Sequence, residues 1–251
     1  TISVSSFLLN RSSDLAMAVY SDTRVLPLYD IIICHNEKMK ALLEKQGIPA
    51  GKLISLEVFD YLTKADISVR TNEDGFAIAG NLNPEKCKYI MEWMKKAGAT
   101  QPIHLYGKGL EKEAIPEEGI VLHGTFPPEE LPGILKGSFG IVWDGISAET
   151  CAGEMGEYLK YNNPHKLSLY LASAMPVVVW TGAAVASFVE KQGIGICMES
   201  LLKCADRLHR MPIAEWEGYR QNAERVGRQR RKGCYTRRAL EKARERINSI
   251  I

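Results

Sequence analysis

The chain has 251 residues, 45% of them hydrophobic and 25% charged, with a formal net charge of +2. That make-up fits a globular protein burying one large core or two smaller ones, and it excludes a disordered chain. A charge so near zero also excludes nucleic-acid binding by bulk electrostatics.

No apolar run approaches the length that spans a bilayer, and Thr1 onward does not read as a secretion signal. The six cysteines, at positions 34, 87, 151, 197, 204 and 234, are scattered without a Cys-x-x-Cys pair. They read as reduced and mostly buried, which gives the expectation of a cytoplasmic protein.

Thr1 to Leu9 alternates like a strand, but the join through Asn10 to Asp14 has no clean periodicity and reads like fragments run together. Tyr29 to Leu56 is the first sharp unit. Asp30 to Cys34 predicts a strand, Glu37 to Gln46 a helix ended by Gly47, and Leu53 to Leu56 a second strand. His35-Asn36 thus falls at the carboxyl end of a strand, where open α/β sheets place ligands. His35 is either a structural loop residue or a reactive one. Tyr61 to Gly75 is polar and aperiodic, a link with a domain boundary near residue 70. The part before it is short for a doubly wound domain of roughly 100 or more residues, so segments of it are expected to be absent.

From Phe76 the chain alternates strand and helix, which predicts a parallel sheet with right-handed crossovers. The strands are Phe76 to Ala79, Ile103 to Tyr106, Val121 to His123, Ile141 to Trp143, Val177 to Trp180 and Ile194 to Met198. Helices are expected over Pro84 to Ala97, Pro127 to Lys136 and Ala183 to Lys191. The turns Gly80-Asn81-Leu82, Gly107, Gly124 to Phe126, Asp144-Gly145 and Thr181-Gly182 should converge on one sheet edge, where glycine lets backbone approach a phosphate or base. Tyr106 and Phe126 are placed either to flank a base or to serve as core aromatics. Asp144 to Glu157 is long and irregular; it is a solvated acidic loop, or a flap whose Asp144, Glu154 and Glu157 accept hydroxyl hydrogen bonds.

Glu157 to Trp180 organises the rest. Asn163 is a good N-cap and Pro164 suits the first helical position. The amides of His165, Lys166 and Leu167 would then be free, and with the Lys166 ammonium they form an anion site. The helix field supplies about 0.3–1 kcal/mol, and a charge-assisted bond from Lys166 about 1.5–3 kcal/mol. That suits a diphosphate. Ala214 to Ile251 is helical, with Gly227 and Gly233 as interruptions. Its basic run from Arg225 to Arg246 is a solvated face or an attachment to an anionic membrane surface.

At these residues a family resemblance enters. Pro164-x-Lys166-x-x-Leu169-Tyr170-Leu171-Ala172-x-Ala174-x-Pro176-Val177 resembles the donor-site helix of GT-B glycosyltransferases. Leu169 stands where the usual form has a ribose-gripping glutamate, and Ala174 where it has glycine. The wording Tyr161-Asn162-Asn163-Pro164-His165-Lys166-x-Ser168-Leu169-Tyr170-Leu171 is similar to the glucosyltransferase-3-like and β-1,6-galactofuranosyltransferase-like group. His35-Asn36-x-x-Met39, Phe59-Asp60-Tyr61-Leu62, Ala79-Gly80-Asn81-Leu82, Leu105-Tyr106-Gly107 and Trp143-Asp144-Gly145 resemble the same group in the same order.

The resemblance implies an α/β fold of the GT-B type, two Rossmann-like domains facing a cleft, the N-terminal one incomplete in this sequence. The division would be 1–70 on the acceptor side, 71–213 for the donor nucleotide, and basic helices over 214–251 packing back on the N-domain. It implies transfer of a glucose- or galactofuranose-class hexose from a UDP-sugar to a hydroxyl of a glycan, free or linked to lipid or protein. The donor would be held by Asn163, Pro164, His165, Lys166, Gly80, Asn81, Leu82, Tyr106, Gly107, Phe126, Asp144 and Glu157, with His35 or Asp60 as base. No Asp-x-Asp occurs in the sequence, so no metal or other cofactor is expected. A homo-oligomer, contact of 225–246 with the inner membrane face and no nucleic-acid partner complete the expectations. A non-catalytic sugar-nucleotide-binding subunit is the alternative.

Overall fold

The computed structural model describes residues 2–4, 25–67, 70–72, 75–97, 101–110 and 119–249. A small parallel sheet joins β1 (Ile2–Val4), β2 (Ile31–Cys34) and β3 (Leu53–Ser55) in that order. The remainder of the strand expected over Thr1 to Leu9 lies outside the described residues. All four residues of β2 are buried, as a continuous apolar run demands of a strand covered on both faces. One face meets Met39 and Leu43 of α1 (Glu37–Lys45). The other lies under Tyr235, Ala239 and Ala243 near the end of the chain.

The larger sheet contains β4 (Phe76–Asn81), β5 (Ile103–Lys108), β6 (Ile120–Gly124), β7 (Phe139–Val142), β8 (Val177–Trp180) and β9 (Gly195–Met198). Its order is β6-β5-β4-β7-β8-β9, every pair parallel. This is the doubly wound arrangement, in which the strand order reverses between β4 and β7 and leaves a crevice at their carboxyl ends. β4 and β5 run two residues longer than their apolar cores, so Gly80, Asn81 and Gly107 finish strands instead of forming turns.

The remaining helices are α2 (Pro84–Ala97), α3 (Leu131–Ile134), α4 (Glu154–Leu159), α5 (His165–Ala172), α6 (Ala186–Gln192), α7 (Cys204–His209), α8 (Ile213–Arg231) and α9 (Cys234–Asn248). The helix expected from Ala183 begins at Ala186, and two stretches between 127 and 157 change more. The helix expected over 127–136 shrinks to α3, because Pro132 and Gly133 weaken its middle and Leu135 turns to extended backbone. The end of the stretch expected to be irregular winds into α4, so Glu154 and Glu157 belong to a helix.

The basic terminal segment is shared between the two sheets. Gly227 does not interrupt α8: a Cβ there would lie 2.0 Å from the Leu171 carbonyl oxygen, so glycine lets α8 close onto α5. Gly233, at φ 70°, ends the run and redirects the chain into α9 on the small sheet. Of the two terminal helices, α9 is the one that packs on that sheet among the described residues. Among the described residues no helix is long and apolar enough to cross a membrane, and the six cysteines are free thiols.

Candidate functional site

β4 and β5 pair over six residues, whereas β4 and β7 pair only at Phe76–Phe139 and Ala77–Gly140. Beyond that point the two strands part, and α5 fills the gap. Gly140 leaves room for the Tyr170 ring, whose Cγ would lie 2.2 Å from a Cβ built there. The Tyr170 hydroxyl accepts the Ala79 amide proton at 2.8 Å. One turn earlier on the same helix face, Lys166 Nζ donates to Asp144 Oδ1 at 2.6 Å and to the Trp143 carbonyl at 2.9 Å. Burial works against the charge of Lys166, but the Asp144 carboxylate outweighs it and raises the ammonium above the ordinary lysine range. Lys86, near the start of α2, reaches the other carboxylate oxygen at 3.8 Å.

Lys86 was not singled out by sequence reasoning, yet a signal was present. Asn83-Pro84-Glu85-Lys86 and Asn163-Pro164-His165-Lys166 are the same Asn-Pro-x-Lys start, each opening a helix beside the crevice. The fold brings the two lysines to one carboxylate.

Asn163 does not cap α5. Pro164 holds the cap position, with φ −70° and ψ 128°, and no side chain caps it. The Leu167 amide turns back to the Pro164 carbonyl at 3.0 Å, so the amides of His165 and Lys166 are the ones without a partner among the described residues. Asn163 instead ties the helix entrance to the small sheet. Its backbone N–H donates to His35 Nδ1 at 3.2 Å and its Nδ2 to the His35 carbonyl. Its Oδ1 accepts from Asn36 Nδ2 at 2.9 Å, and Asn36 also donates to the Tyr161 carbonyl at 2.9 Å. Phe59 seals this seam, edge-on to His35 and stacked on His165 at 4.4 Å.

At the carboxyl ends of β4, β5 and β6 lies a cleft of 360 Å³ lined by Gly80, Asn81, Tyr106, Gly107 and Phe126. A Cβ at Gly107 would lie 1.8 Å from the Gly80 carbonyl oxygen, so glycine is required for the strands to close here. Tyr106 is 2% exposed, its hydroxyl accepts the Lys136 amide proton, and His123 stacks on it at 4.4 Å. It is a core aromatic with one edge on the cleft, and half-buried Phe126 is the ring with room beside it. Leu82 is buried in the core and does not line the cleft.

Two further residues stand apart. Both Asp60 carboxylate oxygens accept amides at the start of α9, from Tyr235 at 3.2 Å and Thr236 at 2.7 Å. Asp60 is thus a helix-capping group with its lone pairs engaged. Glu157 is exposed and pairs with Lys160 at 2.7 Å. The C-terminal end of α5 is held by cations: Arg231 donates to the Ala172 carbonyl and Arg70 to the Ser173 carbonyl, each at 2.7 Å. They satisfy terminal carbonyls and oppose the negative end of the helix dipole, whose positive end faces the crevice. Among the described residues no three His, Cys, Asp or Glu side chains converge as a metal site would require.

Residues 76–243 match the family model described as Glucosyltransferase 3-like, C-terminal domain. The chain is 35% identical over 229 residues to the beta-1,6-galactofuranosyltransferase WbbI of Escherichia coli (strain K12), covering 88% of this chain and 65% of that protein. It is 24% identical over 213 residues to Glucosyltransferase 3 of Streptococcus parasanguinis, covering 84% of this chain and 59% of that protein. It therefore spans less than two thirds of either relative. The fold resembles Anabaena HepE in complex with UDP-glucose, with TM-score 0.62 at 13% identity, covering 95% of this chain and 68% of that one. A sucrose-phosphate synthase from Thermosynechococcus elongatus gives TM-score 0.60 at 13% identity, covering 94% of this chain and 62% of that one. Both likenesses speak to architecture, which is that of the GT-B glycosyltransferases. With the family model matching residues 76–243, most of the chain, this chain belongs to the glucosyltransferase 3-like family.

Proposed function

We propose that the protein transfers a hexose of the glucose or galactofuranose class from a UDP-sugar to a carbohydrate hydroxyl, without a metal ion. The observation that carries this reading is the meeting of two Asn-Pro-x-Lys helix starts at the crevice between β4 and β7. There Lys166, Lys86 and the amides of His165 and Lys166 lie together. As the sugar departs, negative charge grows on the diphosphate. Cations and fixed amides already in place stabilise that charge with little reorganisation, so they favour the transition state over the bound donor. Phe126 and the Gly80–Gly107 floor offer the base a flat apolar wall. The names of the relatives, a galactofuranosyltransferase and a glucosyltransferase, support the choice of hexose class.

On this reading the acceptor, a glycan or a glycan linked to lipid or protein, enters from the side of the small sheet. The exposed Arg237, Arg238, Lys242 and Arg244 of α9 would rest against an anionic, inner-face membrane surface of a cytoplasmic enzyme. Each such residue is worth about 1 kcal/mol near the lipid headgroups. Neither residue named as base has a lone pair to spare, because Asp60 caps α9 and His35 Nδ1 accepts from Asn163. That observation favours, as the second reading, a sugar-nucleotide-binding subunit without turnover.

The test is a thermal-shift and turnover series with UDP, UDP-glucose, UDP-galactofuranose and GDP-glucose on wild type, Lys86→Met and Lys166→Met. Stabilisation by uridine compounds, weakened in both variants, together with UDP release dependent on a carbohydrate acceptor, is expected. UDP binding with no turnover on any glycan would select the subunit reading. No response to any uridine nucleotide would end both.

A further inference from the structure

His35 lies at the seam between the sheets, 4% exposed. A backbone N–H is always a donor, and that of Asn163 points at His35 Nδ1 from 3.2 Å. Nδ1 must therefore present its lone pair, and a neutral ring then carries its proton on Nε2. The two further bonds of Asn163, to the His35 carbonyl and from Asn36, hold this arrangement at the entrance of α5. Nε2 is buried and has no hydrogen-bond partner among the described residues. A buried donor without an acceptor is rare in a folded protein. The rings nearest to it, Phe59 and, stacked on Phe59, His165, bring no carboxylate to the seam. His165 opens α5, where its own amide and that of Lys166 are also without partners. Three N–H donors thus gather at one helix entrance, and Asn162 Oδ1, two residues before Pro164, is a buried acceptor likewise without a partner among the described residues.

We infer that His35 donates its Nε2–H to an oxygen of the bound UDP-sugar and is not the base of the reaction. This rests on the donor-binding reading above and assigns to the small sheet a direct grip on the donor. Burial, with the neighbouring His165, pushes the imidazole down to about 4, so the donor persists at neutral pH. The oxygen belongs either to the diphosphate or to the departing hexosyl group, and the two are separable by ligand.

Two substitutions divide the ring. The carbonyl of asparagine occupies the place of Nδ1 and can accept from Asn163, while the outer donor is lost. The amide of glutamine reaches the place of Nε2, while the inner acceptor is lost. Calorimetric titration with UDP and UDP-glucose is expected to show His35→Asn weakened by about tenfold, the loss of one good hydrogen bond, and His35→Gln weakened less. Equal weakening for UDP places the oxygen on the diphosphate, and weakening for UDP-glucose alone places it on the hexosyl group. The acid limb of kcat/KM against pH should hold its position in His35→Gln, because a group that does not titrate there cannot set it. Imidazole nitrogen shifts of the wild type, which need no variant, should show a bare Nδ1 and a protonated Nε2 that moves on adding UDP-glucose. Wild-type affinity in His35→Asn, loss of the acid limb in His35→Gln, or a protonated Nδ1 would overturn the assignment. Failure of the wild type to bind any uridine nucleotide would instead remove the functional reading beneath it.

Discussion

Lys166 donates to Asp144 at 2.6 Å where both side chains are nearly out of water, 10% and 6% exposed. Each group is tolerable there because of the other. Removing one partner of such a pair costs about 3–5 kcal/mol, whereas replacing both with apolar groups is often neutral. Lys86, at 3.8 Å from Asp144, softens the loss. Lys166→Met should therefore destabilise the fold by about 3 kcal/mol, and Lys166→Met/Asp144→Leu by less than the single change. Urea titrations with and without UDP separate this from ligand loss, since both variants should respond to UDP less than wild type. A single variant with the wild-type midpoint would show that the pair is not mutually dependent.

Acid should loosen the protein before most carboxylates titrate. His35 falls from the ordinary value of 6.5 to about 4 in the fold, through burial and then His165. Between those values the unfolded chain binds a proton that the native state refuses. Stability is thus complete above about pH 6.5 and is lost as pH falls toward 4, by up to about 3 kcal/mol for a shift of this size. His165 is depressed in the same direction, by burial and then Lys86. Melting temperatures from pH 7 to 4 should fall, with a shallower slope in His35→Gln. A rise on acidification would contradict the buried neutral ring.

Where the sequence was legible, one residue's surroundings were enough. β8 and α2 have the bounds that an apolar run and a proline-to-alanine helix pattern suggest. The parallel pairing of the large sheet follows from its alternation with helices, whereas its strand order does not. Partners distant in sequence were not legible. Asn163 looks like an N-cap because its chemistry suits one, but Asn36 and His35 compete for it from another sheet. Asp60 looks like a free carboxylate until α9 arrives more than 170 residues later to be capped. Gly227 looks like a helix breaker, and it becomes intelligible only against Leu171.

Ala174 carries a small, testable strain. The Met175 amide bonds to the Tyr170 carbonyl at 2.9 Å and the Ala174 amide to Leu171 at 3.0 Å. This is the paired ending that places one residue in the left-handed region, usually glycine. Here alanine takes it, at φ 55°. Left-handed backbone costs a non-glycine residue about 1–2 kcal/mol, partly offset by the greater freedom glycine brings to the unfolded chain. Ala174→Gly should stabilise by about 0.5–1 kcal/mol, read as a raised urea midpoint with unchanged slope. A lowered midpoint would mean that the alanine methyl contributes more through packing than its backbone loses.

Arg230 is fully buried between Phe188, at 5.2 Å, and Tyr235, at 5.1 Å. None of its guanidinium nitrogens has a hydrogen-bond partner among the described residues. Burial lowers it to about 10 despite the pull of Tyr235 and Asp60. Two aromatic faces return about 2 kcal/mol or more when desolvated, against a desolvation cost of several kcal/mol for an ion with few bonds. The packing of the long stem should therefore matter more than the charge. Methionine keeps that stem and contacts both rings favourably, so Arg230→Met should lie within about 1 kcal/mol of wild type or above it. Arg230→Ala, which leaves a cavity between α6, α8 and α9, should lose about 3 kcal/mol. Equilibrium unfolding of the two variants decides the matter: if methionine proves as damaging as alanine, the carboxylates of Asp60 and Glu57 depend on this charge, and the guanidinium itself holds the two helices at their turn.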